Sequence, residues 1–159
     1  MSVSTKLTHD LDTASVAIWL DQLGWEHYLC GECQGLHLTR LQALDGVQEA
    51  RLFIESNALL LSCELDIRPS AILIVQAELA RFNMSSMHLK VFMDLEDNSL
   101  PRLVLSSALL TNAGISRNHL RDFLQVSMQA VAEVSSECVR LGYLLQDEAS
   151  EQEQVAAWH

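Results

Sequence analysis

The Cys-Gly-Glu-Cys segment at 30–33 has a spacing that suits metal binding or thiol chemistry. Two thiolates separated by two residues form half of a typical zinc site, and His27 and His37 lie close enough in sequence to complete it. A redox-active pair more often precedes a helix, whose N-terminus lowers the thiol pKa, whereas this segment lies between two short predicted strands. Cysteines that only flank a turn are the simpler interpretation. For this reason we predict no bound metal or cofactor. Cys30 and Cys33 remain the candidates for metal ligands or redox-switch thiols.

No other residue pattern in the sequence predicts catalysis. Cys63 and Cys138 stand alone at apolar positions, as is typical of core cysteines. The 6 histidines form neither H-x-x-x-H nor H-E-x-x-H, and the glycine motifs of nucleotide-binding sites are absent from the sequence. We predict no catalytic residue and expect the protein not to be an enzyme.

The apolar pattern predicts an α+β fold built on an antiparallel sheet. Apolar and polar residues alternate along 50–54 and 59–65, which predicts a hairpin with one face on the core. The same alternation along 88–95 and 100–109 predicts a second hairpin. Shorter strands at 25–30 and 36–39 are expected to flank the cysteine turn.

Three helices accompany the predicted strands. A capping residue at 12 or 13, an apolar stripe and a glycine at 24 bound the first helix. The second covers 68–82 and the third about 117–144. The predicted order is therefore helix, three or four strands, helix, two strands, helix, within one domain over 1–145. The acidic residues 146–159 are predicted to form a flexible tail.

The helix predicted at 68–82 is apolar on two faces. One face would lie on the sheet, while Leu73, Ala77 and Ala80 form the second. Packing inside one domain would bury the second apolar face, and so would a contact with another protein. We favour a homodimer or a groove for an unidentified protein partner, since the two small alanines permit close helix approach. The predicted interface residues are Leu73, Ala77, Ala80, His88, Lys90 and Phe92.

Net charge limits the classes of partner. The 159 residues include 10 basic and 21 acidic side chains, giving −11 at pH 7. This charge repels phosphate backbones and anionic membranes, so we expect no direct nucleic-acid or membrane binding. The sequence also lacks a signal peptide and any apolar run of membrane-spanning length. We expect a cytoplasmic protein with reduced thiols.

Several short strings stand out when they are taken in order along the chain. They are WLDQLG at 19–24, CGECQGLHL at 30–38, DGV at 45–47, RPSA at 68–71, NMSS at 83–86, FMDLEDN at 92–98 and LPRLV at 100–104. Together they resemble the YbjN family of bacterial sensory transduction regulators. None of them is a catalytic signature, and the resemblance covers about 15–143.

The resemblance implies a fold and a kind of function. The implied fold is similar to class I type III secretion chaperones, with the order α-β-β-β-α-β-β-α and frequent dimerisation. Such proteins hold partner segments without enzymatic chemistry, and the family is associated with stress response, motility and exopolysaccharide or virulence regulation. Our leading hypothesis is a cytoplasmic, non-enzymatic regulator that acts through protein–protein contact as a homodimer. The alternative is a metal-binding or thiol redox switch at Cys30 and Cys33.

Overall fold

A six-stranded antiparallel sheet forms the centre of the protein in the computed structural model, which describes residues 6–146. Its order is β1-β2-β3-β4-β6-β5, so β1 and β5 are the two edge strands. The strands are β1 His27–Tyr28, β2 Leu36–Leu38, β3 Glu49–Ile54, β4 Ala58–Asp66, β5 Lys90–Asp94 and β6 Arg102–Leu110. The predicted α+β class with an antiparallel sheet is confirmed.

Helices connect and cover these strands. They are α1 Thr13–Gln22, the short α2 Thr39–Gln42, α3 Ile72–Ser85 and α4 Arg117–Arg140, with a 3₁₀ turn at Pro69–Ala71 before α3. α1 begins where Asp12 Oδ1 accepts the Ser15 N–H at 2.7 Å. α4 begins at a capping box, because Ser116 Oγ accepts the His119 N–H while His119 Nδ1 accepts the Ser116 N–H.

One face of the sheet is packed and the other is open. Along β4 every second residue is buried, beginning at Leu59, and the residues between them are half-buried. The buried positions form one hydrophobic cluster with α1, α3 and α4, to which Leu20, Phe82 and Leu124 contribute fully buried side chains. Since one set of alternating residues carries the packing, the opposite face of the sheet keeps partial access to solvent.

The ends of several elements differ from the sequence prediction. β1 and β2 have only two and three residues. A short helix that the sequence did not predict, α2, lies between β2 and β3, and α3 continues to Ser85. α4 ends at Arg140, four residues early, because Gly142 turns the chain with φ +70° and the following residues pack back toward β4.

The order of helices and strands does not test three expectations from the sequence. The single domain over 1–145 and the likeness to secretion chaperones stay predictions. The flexible tail predicted over 146–159 lies, apart from its first residue, outside the described residues. None of the helices between residues 6 and 146 combines the length and apolar character that crossing a bilayer requires.

Candidate functional site

The two cysteines lie in the turn between β1 and β2, at one edge of the sheet. Cys30 is exposed and Cys33 is half-buried. Gly31 has φ +82°, a left-handed conformation that a side chain disfavours, and this lets the chain fold back tightly. As a result, the backbone N–H groups of Glu32 and Cys33 both donate to Cys30 Sγ at 3.4 Å. The turn is thus shaped around the first sulfur.

His37 on β2 completes a cluster with the two cysteines. Its side chain is buried, at 5% exposure. His37 Nε2 lies 3.3 Å from Cys33 Sγ, and Cys33 Sγ lies 3.4 Å from Cys30 Sγ. All three atoms fall within 4.8 Å of one another. The structure therefore brings together two thiols and one imidazole nitrogen, in the sequence pattern C-x-x-C-x-x-x-H.

The opposite nitrogen of His37 has its own partner. Glu49 Oε2, on the neighbouring strand β3, lies 3.0 Å from His37 Nδ1. A carboxylate accepts this bond from Nδ1–H, and in that tautomer Nε2 presents its lone pair to Cys33 Sγ. Gln42 Nε2 also lies 3.3 Å from Nδ1. The Tyr28 ring stacks on the imidazole at 4.7 Å, and Gln42 Nε2 lies within 3.5 Å of Glu49. These contacts fix the position of the ring.

Hydrogen bonding favours the anionic form of the exposed thiol. The backbone N–H groups of Glu32 and Cys33, followed by the side chains of Cys33 and His37, lower the pKa of Cys30 from 9.0 to about 6. Each donor stabilises the thiolate more than the neutral thiol. Cys30 therefore has the properties of a nucleophile or a metal ligand.

The other two cysteines behave differently. Burial raises the pKa of Cys63 and that of Cys138 to about 12. Cys63 lies on the packed face of β4 and Cys138 on the packed side of α4. Both are small core residues, as their sequence positions indicate.

A positive charge lies next to the cluster. Burial alone would lower the pKa of Arg51, but the charges of Glu64 and Cys33 outweigh it and raise that pKa. Arg51 forms an ion pair with Glu64, and Arg102 Nη1 lies 3.4 Å from Glu64 Oε2. The open face of the sheet therefore carries a charged network that begins beside Cys33.

His27, the other histidine considered as a ligand, does not join the cluster. It pairs with Leu38 across β1 and β2, whereas Tyr28 pairs with His37, so His27 lies on the opposite face of the sheet. Its Nδ1 lies 3.0 Å from the carbonyl oxygen of Trp25. The sequence alone left both histidines open, and strand register separates them. The sequence did not indicate Glu49, because its contact with His37 depends on the pairing of a neighbouring strand.

The second predicted site, the outer face of α3, is exposed. Leu73 is 80% exposed, and Ala77 and Ala80 are exposed on the same side. Met84, at 86% exposure, continues this row, which the sequence analysis missed. At about 100° per residue, positions 73, 77, 80 and 84 fall within about 60° of one another. We call these four residues the α3 stripe.

The predicted residues after α3 are also exposed. Lys90 and Phe92 lie on the open face of β5, with Lys90 Nζ 5.4 Å from the centre of the Phe92 ring. His88 precedes this strand rather than belonging to it. Asn83 of α3 binds the outer edge of β5, since its amide donates to the Val91 carbonyl and accepts the Val91 N–H, both at 2.9 Å. The C-terminal end of α3, which carries the stripe on another side, is therefore fastened to the β5 edge of the sheet.

A groove of about 440 Å³ separates the segment before β5 from α4. Its polar lining includes His88, His119 and Asp122. His119 Nδ1 is engaged by the Ser116 N–H at 2.9 Å, and Asp122 pairs with Arg121. The histidine thus caps a helix, and the acid is part of an exposed ion pair. This groove adds apolar surface but gives no support for acid–base catalysis.

The family of this chain follows from comparison with known proteins. A family model for YbjN, described as a putative bacterial sensory transduction regulator, matches residues 12–139. This is most of the chain, so the chain belongs to the YbjN family, as its sequence strings indicated. The family description is that of a regulator, in agreement with the class of function expected from the sequence.

Individual relatives support the same assignment. The chain is 36% identical over 116 residues to the uncharacterized protein YbjN of Escherichia coli strain K12, covering 73% of each sequence. The same values hold for the YbjN protein of Shigella flexneri. A crystal structure of E. coli YbjN, described as a putative transcription regulator, has a TM-score of 0.85 and 32% identity, covering 89% of this chain and all of that one.

Proposed function

We propose that this protein is a cytoplasmic, non-enzymatic regulator that acts by binding other proteins, and that two copies form a homodimer through the α3 stripe. The main observation in support of this proposal is the solvent exposure of the α3 stripe. Leu73 and Met84 are 80% and 86% exposed, although burying a leucine or methionine side chain is worth about 1.5–3 kcal/mol. An apolar row of this kind on a helix is typical of an interaction surface.

The order of residues along the stripe suits a twofold contact. Large side chains stand at its ends, Leu73 and Met84, and small ones at its centre, Ala77 and Ala80. Two antiparallel copies would place Leu73 of each helix near Met84 of the other, while the alanines let the helices cross closely. The stripe is about 17 Å long at 1.5 Å per residue.

The edge strand contributes side chains rather than backbone to this contact. Asn83 occupies the outward N–H and carbonyl of Val91, so a second copy cannot add a strand at that position. Phe92 and Lys90 remain accessible on the open face, and His88 lies just before them. We propose these three as the outer part of the interface.

The family resemblance supports a proposal for the wider role. We propose that the regulator takes part in stress, motility and exopolysaccharide or virulence regulation, through an unidentified protein partner. The net charge of −11 favours a basic partner surface over nucleic acid. Contact with protein rather than with DNA is therefore the proposed route of regulation.

Light scattering coupled to size-exclusion chromatography tests the dimer. We expect the purified chain at micromolar concentration to have about twice the 17.8 kDa mass of one copy. Leu73→Glu should weaken association at least about tenfold, because it buries an unpaired carboxylate at both ends of the contact.

Ile18→Glu is the matched control, since Ile18 is 55% exposed on α1, away from the stripe. It should leave the mass unchanged, and circular dichroism should show both variants folded. A wild-type mass of 17.8 kDa at every concentration removes the homodimer. A dimer that resists Leu73→Glu places the contact elsewhere.

A further inference from the structure

We propose that Cys30 Sγ, Cys33 Sγ and His37 Nε2 bind one Zn²⁺ ion at the β1–β2 edge of the sheet. This site is separate from the α3 stripe, whose helix is fastened at its C-terminal end to the opposite, β5 edge. Its failure would therefore leave the dimer proposal unaffected, and the reverse holds equally.

The distances between the donor atoms suit a tetrahedral ion. With Zn–S near 2.3 Å and Zn–N near 2.0 Å, neighbouring ligand atoms of a tetrahedral site stand about 3.5–3.8 Å apart. Cys30 Sγ and Cys33 Sγ are 3.4 Å apart, and Cys33 Sγ is 3.3 Å from His37 Nε2. Cys30 Sγ and His37 Nε2 lie within 4.8 Å of each other, so the exposed Cys30 side chain would close on the ion as it binds. A disulfide instead needs its sulfurs at about 2.05 Å.

The chemistry of the donors also favours zinc. Two thiolates and one imidazole match the sulfur and nitrogen ligands that zinc prefers over harder oxygen donors. Both sulfurs bind as thiolates, so any thiol proton still present is released to solvent, and two thiolates balance the charge of the ion. The N–H groups that Glu32 and Cys33 direct at Cys30 Sγ stabilise this anionic sulfur.

The surroundings of His37 resemble those of a metal-bound histidine. Such ligands usually donate their second ring N–H to a carboxylate or a carbonyl oxygen, which fixes the tautomer and raises the basicity of the ligating nitrogen. Glu49 provides this carboxylate at 3.0 Å, and Tyr28 holds the ring plane by stacking.

The coordination sphere keeps one position for an external ligand. Within residues 6–146 the cluster has three donors, and Cys30 is exposed. Three protein ligands leave the fourth tetrahedral position to water or to a group supplied by another molecule. The ion would also fasten the turn at 29–35 to β2, and so stabilise the sheet edge.

Metal titration of the purified full chain tests the site. Protein reduced with a phosphine and freed of metal by a chelator is given Zn²⁺, dialysed and analysed by mass spectrometry of the elements. We expect one zinc per chain and a higher melting temperature with zinc than without it. Co²⁺ in place of zinc should give thiolate-to-cobalt charge-transfer absorption in the near ultraviolet.

Variants separate the ligands from nearby residues. Cys30→Ser, Cys33→Ser and His37→Gln should each abolish stoichiometric zinc and the cobalt absorption. Glu49→Gln should keep the site but weaken zinc binding about tenfold, as loss of a carboxylate behind a metal-bound histidine does. Cys63→Ala and His27→Gln are matched controls, which remove a thiol and a histidine elsewhere and should bind zinc normally.

Three results would overturn the proposal. The first is reduced wild-type protein that retains no zinc after dialysis. The second is zinc binding that survives in Cys33→Ser and His37→Gln. The third is loss of two free thiols in air, with no cobalt absorption after reduction, which would assign the pair to disulfide chemistry.

Discussion

The side chain of Asn83 takes the place of a neighbouring strand at the edge of the sheet. Its amide donates to the carbonyl oxygens of Val91 and Leu79 and accepts the N–H of Val91, at 2.8–2.9 Å. One residue thereby satisfies both outward backbone groups of Val91 and fastens the end of α3 to β5. An edge strand without such cover is open to pairing with other chains.

Replacing Asn83 by alanine should destabilise this edge. Loss of these hydrogen bonds in a half-buried setting should cost about 1–3 kcal/mol in the free energy of unfolding. Urea denaturation measures this loss, and hydrogen exchange should show the Val91 amide exchanging faster. Gln76→Ala, an exposed change on the same helix, is the control and should stay within about 0.5 kcal/mol. Equal stability of the two variants would mean that water replaces the amide without cost.

At the scale of single residues, patterns between near neighbours were visible in the sequence, whereas contacts between residues on different strands were not. The spacing of Cys30 and Cys33 is local, so it was visible. The choice of His37 over His27 depends on which of them faces the sulfurs, and that follows from the β1–β2 register. Glu49 reaches His37 from β3, twelve residues along the chain. No pattern within one strand could indicate that pairing.

At the scale of elements, the long hairpins were predictable because alternation with a period of two continues through both arms. α2 was missed because it has four residues and one buried side chain, Leu41, too few for a helical pattern. α4 was predicted too long because Tyr143 and Leu144 are buried beyond its end, so the apolar pattern outlasts the helix. There the chain leaves the helix, and Arg68 N–H donates to the Tyr143 carbonyl at 3.0 Å.

The turn before β3 packs on this last segment, and Gly46 makes the contact possible. Its φ is +87°, and a Cβ there would lie 2.5 Å from Leu144 Cδ1 and 3.1 Å from Val139 Cγ2. Gly24 has a similar φ of +73° with nothing within 4 Å of such a Cβ. These two glycines share a backbone conformation and differ in their surroundings.

Gly24→Ala and Gly46→Ala should therefore differ in stability. Alanine in the left-handed conformation costs roughly 1–2 kcal/mol at either position. The free energy of unfolding of Gly46→Ala should fall by at least about 1 kcal/mol more, because the methyl group would overpack the contacts with Leu144 and Val139. Urea denaturation of both variants measures the difference. Equal losses would show that the segment after α4 moves aside freely.

At the scale of the whole molecule, one sheet face and the four helices share a single hydrophobic cluster. The opposite face mixes half-buried apolar side chains, such as Phe53 and Leu60, with the ion pairs around Glu64. Antiparallel sheets with one packed face commonly leave the other to solvent. The stability of this protein therefore comes mainly from the packed side of the sheet.

Leu60 and Leu61 are neighbours on β4 that point to opposite faces, so they test this asymmetry. Leu61 is fully buried, and Leu61→Ala should cost about 2–5 kcal/mol in the free energy of unfolding. Leu60 is half-buried on the open face, and Leu60→Ala should cost about 1 kcal/mol or less. Urea denaturation, at the lowest protein concentration that gives a signal, measures the loss in each variant. Leu61→Val is a milder change to use if Leu61→Ala does not fold. A loss at Leu60 as large as that at Leu61 would mean that another molecule covers the open face in solution, and the loss would then grow with protein concentration.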